Sequence, residues 1–240
     1  MQKRIDWVAL TIVVALILLS VAFVNQYLAS LQRGAPVQYE HFIDYYTPDK
    51  EYDILEVEGF LTPEECAHII AVSRDKLEPS RVYSDKADLN DPKYRKSDQT
   101  WLKTDMHPVV DKIDRVVAET TGRPRSNHED LQVVKYEPSG FFSPHYDSCE
   151  GDKAFCDRMN VTGGPRLWTF MVYLNDDFTG GETVFPKLGK SVKPKTGKLV
   201  VFQDTGDDEE IISNSFHGGE PVTSGQKWIC NKWVRHREYT

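Results

Sequence analysis

Leu131-Gln132-Val133-Val134-Lys135-Tyr136-Glu137 is the stretch at which the chain changes character. Its β-branched and aromatic residues suit a pleated, half-buried strand. Further short runs of this kind follow at Arg166–Asn175, Glu182–Pro186, Lys198–Gln203 and Lys227–Arg235, with Asn175-Asp176-Asp177, Gly180-Gly181 and Gly218-Gly219 marking turns. Upstream the reading is helical. Thr62-Pro63-Glu64-Glu65 supplies an N-cap hydroxyl, a proline at the first helical position and a capping-box glutamate, and Cys66, Ile69, Ile70, Ser73 and Leu77 follow at helical spacing. A second helix is expected from His107 to Thr121, with Gly122 as its stop. Between them, Arg81 to Asp98 carries both charges and few apolar residues, the pattern of an exposed, mobile loop. Two helices followed by many short strands predict an α+β, mainly β fold, with the helices packed on one face of a β-sandwich or jelly roll.

A chain of 240 residues, 40% of them hydrophobic, is long enough for one well-buried domain plus an appendage. Its formal net charge of -8 lacks the basic balance of nucleic-acid binders, so no nucleic-acid partner is expected. Trp7 to Val24 carries no charged residue. At about 1.5 Å per residue such a run covers roughly 27 Å, enough for a membrane-spanning helix. Lys3 and Arg4 before it place 1–6 in the cytoplasm as a tail and everything after the 7–24 anchor on the lumenal side. A cleaved signal peptide is the competing reading; the length of the run and the weak cleavage site after it favour the anchor. Residues 25–51 read as a stalk, and 52–240 as the folded domain. The expected location is a single-pass protein of the endoplasmic reticulum or Golgi.

Cys149 and Cys156 are separated by six residues in a polar stretch, a loop that a disulfide could close in an oxidising compartment. Cys66 and Cys230 sit in amphipathic or apolar surroundings, as buried free cysteines do. Asn160-Val161-Thr162 is a glycosylation acceptor, meaningful only if that placement is lumenal.

His145-Tyr146-Asp147 is the most informative triplet. Residues two apart in a strand share a face, so an imidazole and a carboxylate can address one point. Alone, such a triplet is more often a polar strand pair than a metal site. His217, in Ser215-Phe216-His217-Gly218-Gly219, adds a second imidazole on a later strand, and two histidines with one carboxylate leave three sites open on an octahedral ion, which suits non-haem Fe(II). Ten residues on, Lys227 places a cation in an otherwise apolar strand. Such a lysine either pairs with an anion, as a dicarboxylic cosubstrate would provide, or snorkels to solvent.

These residues and their neighbours resemble the prolyl 4-hydroxylases, most closely the short plant, algal and viral-type enzymes. The matching stretches are Leu131–Pro138, Pro144-His145-Tyr146-Asp147, Gly180-Gly181-Glu182-Thr183-Val184-Phe185-Pro186, Phe216-His217-Gly218-Gly219, Lys227-Trp228 and Lys232-Trp233. The resemblance runs from about Ile54 to Glu238. It implies a double-stranded β-helix in which His145, Asp147 and His217 bind iron and Lys227 binds the distal carboxylate of 2-oxoglutarate. It also implies that Tyr136 reaches that carboxylate, that Thr169 lines the cosubstrate pocket, and that Arg166 and Trp233 lie near the peptide groove. Tyr136 and Thr169 are also commonplace strand residues, and Arg166 and Trp233 could equally be structural.

The cofactors implied are Fe(II), 2-oxoglutarate, O2 and ascorbate. The reaction implied is hydroxylation of peptidyl proline at C4 with release of succinate and CO2, on a proline-rich peptide or protein; the oligomeric state is not legible. Phe142 departs from the pattern, standing where plant-type relatives often carry a tyrosine on the substrate side, and the segment between Lys187 and Ser191 is shorter than in many of them. Two other functions compete: a related oxygenase acting on another residue such as lysine, and a catalytically silent, membrane-tethered module for proline-rich ligands. The second has no need of an open metal site.

Overall fold

The computed structural model describes residues 54–82, 92–104 and 107–239. The expected tail, anchor and stalk, and the first two residues of the expected domain, lie outside these. No helix among the described residues is long and apolar enough to cross a membrane.

Helix α1 (Pro63–Ser73) begins as its cap dictates: Glu65 N–H donates to Thr62 Oγ1 at 3.2 Å while Thr62 N–H donates to Glu65 Oε2 at 2.9 Å. Pro63 fills the first turn, where a missing N–H leaves no bond unmade. Helix α2 (Pro108–Thr121) stops at Gly122, whose φ of 66° is the left-handed conformation that glycine adopts without strain. It buries Val109, Val110, Ile113, Val116 and Val117 as one apolar stripe. A third helix, α3 (Lys153–Met159), was not expected; Asp152 caps it by accepting the Phe155 N–H at 2.8 Å.

The strands are β1 (Leu55–Val57), β2 (Glu78–Pro79), β3 (Arg95–Lys96), β4 (Asp98–Leu102), β5 (Leu131–Tyr136), β6 (Phe141–His145), β7 (Arg166–Tyr173), β8 (Thr179–Gly180), β9 (Thr183–Phe185), β10 (Lys190–Val192), β11 (Leu199–Gln203), β12 (His217–Gly219), β13 (Val222–Ser224) and β14 (Lys227–Arg235). A seven-stranded sheet runs β1-β11-β7-β14-β5-β4-β2 and a five-stranded sheet runs β10-β9-β12-β6-β3, with β13 and β8 as a separate pair. Both helices pack on the larger sheet, α1 against β4 and β5 and α2 against β14. Of the expected loop between Arg81 and Asp98, residues 83–91 lie outside the described residues, and its last part is not a loop. Arg95 and Lys96 pair with Phe142 and Phe141 as the edge strand β3. A charged edge strand avoids further pairing, and the same charges make it read as a loop.

Strand alternation sorts the site from the support. Val134 and Tyr136 of β5, Met171 and Tyr173 of β7, Val200 and Phe202 of β11 and Ile229 of β14 meet Phe185 of β9 and Val192 of β10 in one core between the sheets. Lys227, Ile229 and Trp233 share a parity and line an inner cavity. Lys232, of opposite parity, reaches Asp114 of α2 at 2.6 Å, where His128 also meets the same carboxylate oxygen.

Candidate active site

His217 lies directly opposite His145 in the β12–β6 pairing, and their rings are 4.5 Å apart. Gly218 permits this approach: a Cβ there would meet the Phe142 carbonyl oxygen and the Pro144 nitrogen, each at 3.0 Å. Strand β6 ends at His145, so Asp147 reaches the site from a bend beyond it and not from the same strand face. One ligand atom each from His145, Asp147 and His217 then lies within 4.8 Å of the others, a set that could hold a metal ion.

The imidazoles are aimed by their far nitrogens. His145 Nδ1 faces the Ser143 carbonyl at 2.9 Å and His217 Nδ1 faces the Ser215 carbonyl at 2.8 Å. A carbonyl only accepts, so each Nδ1 carries the proton and each Nε2 presents a lone pair to the centre. Burial holds His217 neutral down to about 4. Asp147 accepts Thr169 Oγ1–H at 2.7 Å and Trp233 Nε1–H at 2.9 Å, both on Oδ2, which leaves Oδ1 for a metal. Burial pushes its carboxyl up, but His217, His145 and Arg166 outweigh that and hold it well below the usual range.

A cavity of about 820 Å³ opens from this centre and is lined in part by Tyr136, Arg166, Met171, Thr183, Lys227 and Trp233. Lys227 is buried, and its Nζ donates to the Gly181 carbonyl at 2.7 Å with the Tyr136 and Tyr173 rings at 5.1 and 5.5 Å. Among the described residues no carboxylate lies within ion-pair distance of it, and burial lowers its pKa to about 7, only partly offset by Glu182. Thr169 does not line the cavity, contrary to expectation. It is 1% exposed and sits beneath the metal carboxylate, because Asp147 folds back over its position in β7. Thr183 is on the wall instead, its Oγ1 accepting the Tyr173 hydroxyl at 2.6 Å.

Toward the mouth, Arg166 lies 3.5 Å from the Trp233 ring centroid and holds Glu129 with two hydrogen bonds of 2.7 and 2.9 Å. Arg235 Nε donates to the same carboxylate at 2.8 Å. Burial raises the Glu129 carboxyl, yet the two guanidiniums outweigh it and keep the group ionised below its usual range. Sequence reading missed Glu129, and missed Arg95, which lies over the Phe142 ring whose other neighbour is the stacked His145 imidazole at 3.6 Å. Nothing in Asn127-His128-Glu129-Asp130 signals that one acid is buried. Cys149 and Cys156 are joined by a disulfide that ties α3 to the chain just beyond Asp147, while Cys66 and Cys230 are free and buried. Asn160 follows α3 on the cavity wall.

Residues 131–235 match the family model of the 2OG-Fe(II) oxygenase superfamily. Prolyl 4-hydroxylase 1 of Arabidopsis thaliana is 34% identical over 201 residues, covering 77% of this chain and 69% of its own. A candidate prolyl 4-hydroxylase of Acanthamoeba polyphaga mimivirus is 36% identical over 183 residues, with 76% and 74% covered. The chain belongs to the prolyl 4-hydroxylase family. A solved structure of the viral collagen prolyl hydroxylase of Paramecium Bursaria Chlorella virus-1 in complex with 2OG is 33% identical, with a TM-score of 0.63 over 78% of this chain and 97% of that one. This family member is a dioxygenase that uses Fe(II), 2-oxoglutarate and O2, and its residues fit them. The two lone-pair nitrogens and the carboxylate oxygen Oδ1 suit Fe(II), and the buried Lys227 amine, with no carboxylate partner among the described residues, suits a dicarboxylate.

Proposed function

We propose that the protein hydroxylates C4 of proline in a peptide or protein, converting 2-oxoglutarate and O2 to succinate and CO2 in the same turnover. The observation that carries this reading is a three-ligand metal face and, in the same cavity, a buried amine with no carboxylate partner among the described residues. Fe(II), when bound, supplies the oxygen activation on which both the decarboxylation and the hydroxylation depend. His145, Asp147 and His217 hold it. Lys227, with Tyr136 beside it, takes the distal carboxylate of 2-oxoglutarate and so orients the opposite end toward the metal. Ascorbate keeps the iron ferrous.

Arg166 laid on Trp233, with Trp101 at 5.9 Å from Trp233 and tilted 45° to it, forms a cationic and aromatic surface in the same cavity as the metal-ligand set. Proline-rich segments in extended conformation dock on such surfaces, and Glu129 keeps Arg166 in place for them. The relatives' names support proline as the target. The apolar run at 7–24, the disulfide and the Asn160 acceptor sequence support a lumenal enzyme tethered to the endoplasmic reticulum or Golgi membrane, with Asn160 as a glycosylation acceptor.

Succinate release is the test, measured with Fe(II) and 2-oxoglutarate alone, with a proline-rich peptide, and with a lysine peptide. Stimulation by the proline peptide alone supports the assignment. Stimulation by the lysine peptide alone overturns the residue specificity, and no turnover overturns catalysis.

A further inference from the structure

The hydroxyl of Thr169 lies between two carboxyl groups, 2.7 Å from Asp147 Oδ2 and 2.8 Å from Asp204 Oδ2. A hydroxyl carries one proton, so it donates to one of them only. Asp147 is the metal-facing acid, ringed by His145, His217, Arg166 and the Trp233 N–H. Asp204 stands just past β11, clamped by its own N–H to the Leu167 carbonyl at 2.9 Å and by the Ile212 N–H to its carbonyl at 2.9 Å. Its side chain is fully buried, and its Oδ1 has no hydrogen-bond partner among the described residues.

Were Asp204 ionised, two carboxylates would compete for one proton, and one would face an oxygen lone pair across a hydrogen-bond distance in a fully buried setting of low dielectric. A proton on Asp204 removes the conflict. The whole row then reads donor to acceptor: Asp204 Oδ2–H to Thr169 Oγ1, Thr169 Oγ1–H to Asp147 Oδ2. Burial and the charge of Asp147 both push the Asp204 carboxyl well above the usual carboxylate range.

We propose that Asp204 is a positioning residue for the metal site, a neutral carboxylic acid whose proton fixes the direction of the Thr169 hydroxyl and thereby holds Asp147 Oδ2 away from the metal. Asp147 then binds through Oδ1 alone, keeping coordination positions open for cosubstrate and oxygen. Asp204 touches neither metal nor substrate and acts only through Thr169. This inference rests on the metal reading of His145, Asp147 and His217.

Four variants of the full chain test it, each checked for native circular dichroism and titrated with Co(II) alone. Asp204→Asn retains a neutral donor and should bind Co(II) within about twofold of wild type, whereas Asp204→Leu and Thr169→Val should each bind at least about tenfold more weakly. Thr169→Ser should restore wild-type binding, which a mere packing role would not require. The infrared band of a protonated carboxylic acid should be present in the wild type at neutral pH and absent from Asp204→Asn.

Loss of Co(II) binding in Asp204→Asn equal to that in Asp204→Leu, full binding in Thr169→Val, or no acid band would each overturn the proposal. If Asp204→Leu fails to fold, Asp204→Asn, Thr169→Val and the infrared band still decide. Failure of the wild type to bind Co(II) would instead overturn the metal site, leaving the infrared band to decide the protonation of Asp204.

Discussion

Lys227 is the residue whose chemistry is most exposed to test. Its amine is depressed from 10.5 to about 7 by burial. In the unliganded protein between about pH 7 and 10.5 the unfolded chain therefore binds more protons than the folded one, so stability rises with pH across that window. Below it both forms are charged and the full cost of the buried cation is present. A dicarboxylate entering the cavity restores the charge, so 2-oxoglutarate binding near pH 8 should take up a proton, seen as a buffer-dependent heat in calorimetry. Lys227→Ala should raise the 2-oxoglutarate requirement at least about tenfold while metal binding persists. His217→Ala should do the reverse, abolishing turnover through loss of metal, as a Co(II) titration would show. Both residues were legible because each breaks its local pattern: a lysine in an apolar strand, a histidine before two glycines. Thr169 and Thr183 were not separable, since both are strand threonines and only the path of Asp147 decides which one sees the cavity.

Among the elements, β14 does the most to build the site, because its alternation sends Lys227 and Trp233 inward and Lys232 toward α2. Its bounds, Lys227–Arg235, coincide with the apolar run in the sequence, α1 starts where its capping box demands and α2 stops at its glycine. Local rules of this kind are written in the chain itself. Pairing partners are not: β3 is visible only once β6 lies beside it, and α3 only once its Asp152 cap and the disulfide are seen to close a turn. The loop before β5 hides its function in the same way. Glu129 there compensates guanidiniums from both β7 and β14, so Glu129→Ala leaves two cations without their partner and should lower stability by about 3–5 kcal/mol in a denaturant titration. Glu129→Gln keeps an acceptor and should cost less, yet still raise the peptide KM without altering the 2-oxoglutarate KM, since Arg166 would lose its anchor over Trp233.

At the scale of the whole molecule, the two-sheet architecture with helices on one sheet followed from the order of helical and strand runs, because each element must bury its apolar face against another. Where the enzyme works is a proposal that rests on 7–24 and its basic flank, which lie outside the described residues. Expressed in a eukaryotic cell, the chain should fractionate with membranes, and its catalytic domain should resist protease in sealed microsomes; digestion there would reverse the topology. On the proposed function, one cavity brings together metal, 2-oxoglutarate and a proline-containing peptide. Turnover under isotopically heavy dioxygen, read by mass spectrometry, tests it most directly. One heavy oxygen should appear at C4 of a peptidyl proline and one in succinate, in equal amounts. Label on a residue other than proline, or succinate formed at the same rate whether or not the peptide is present, would contradict the account.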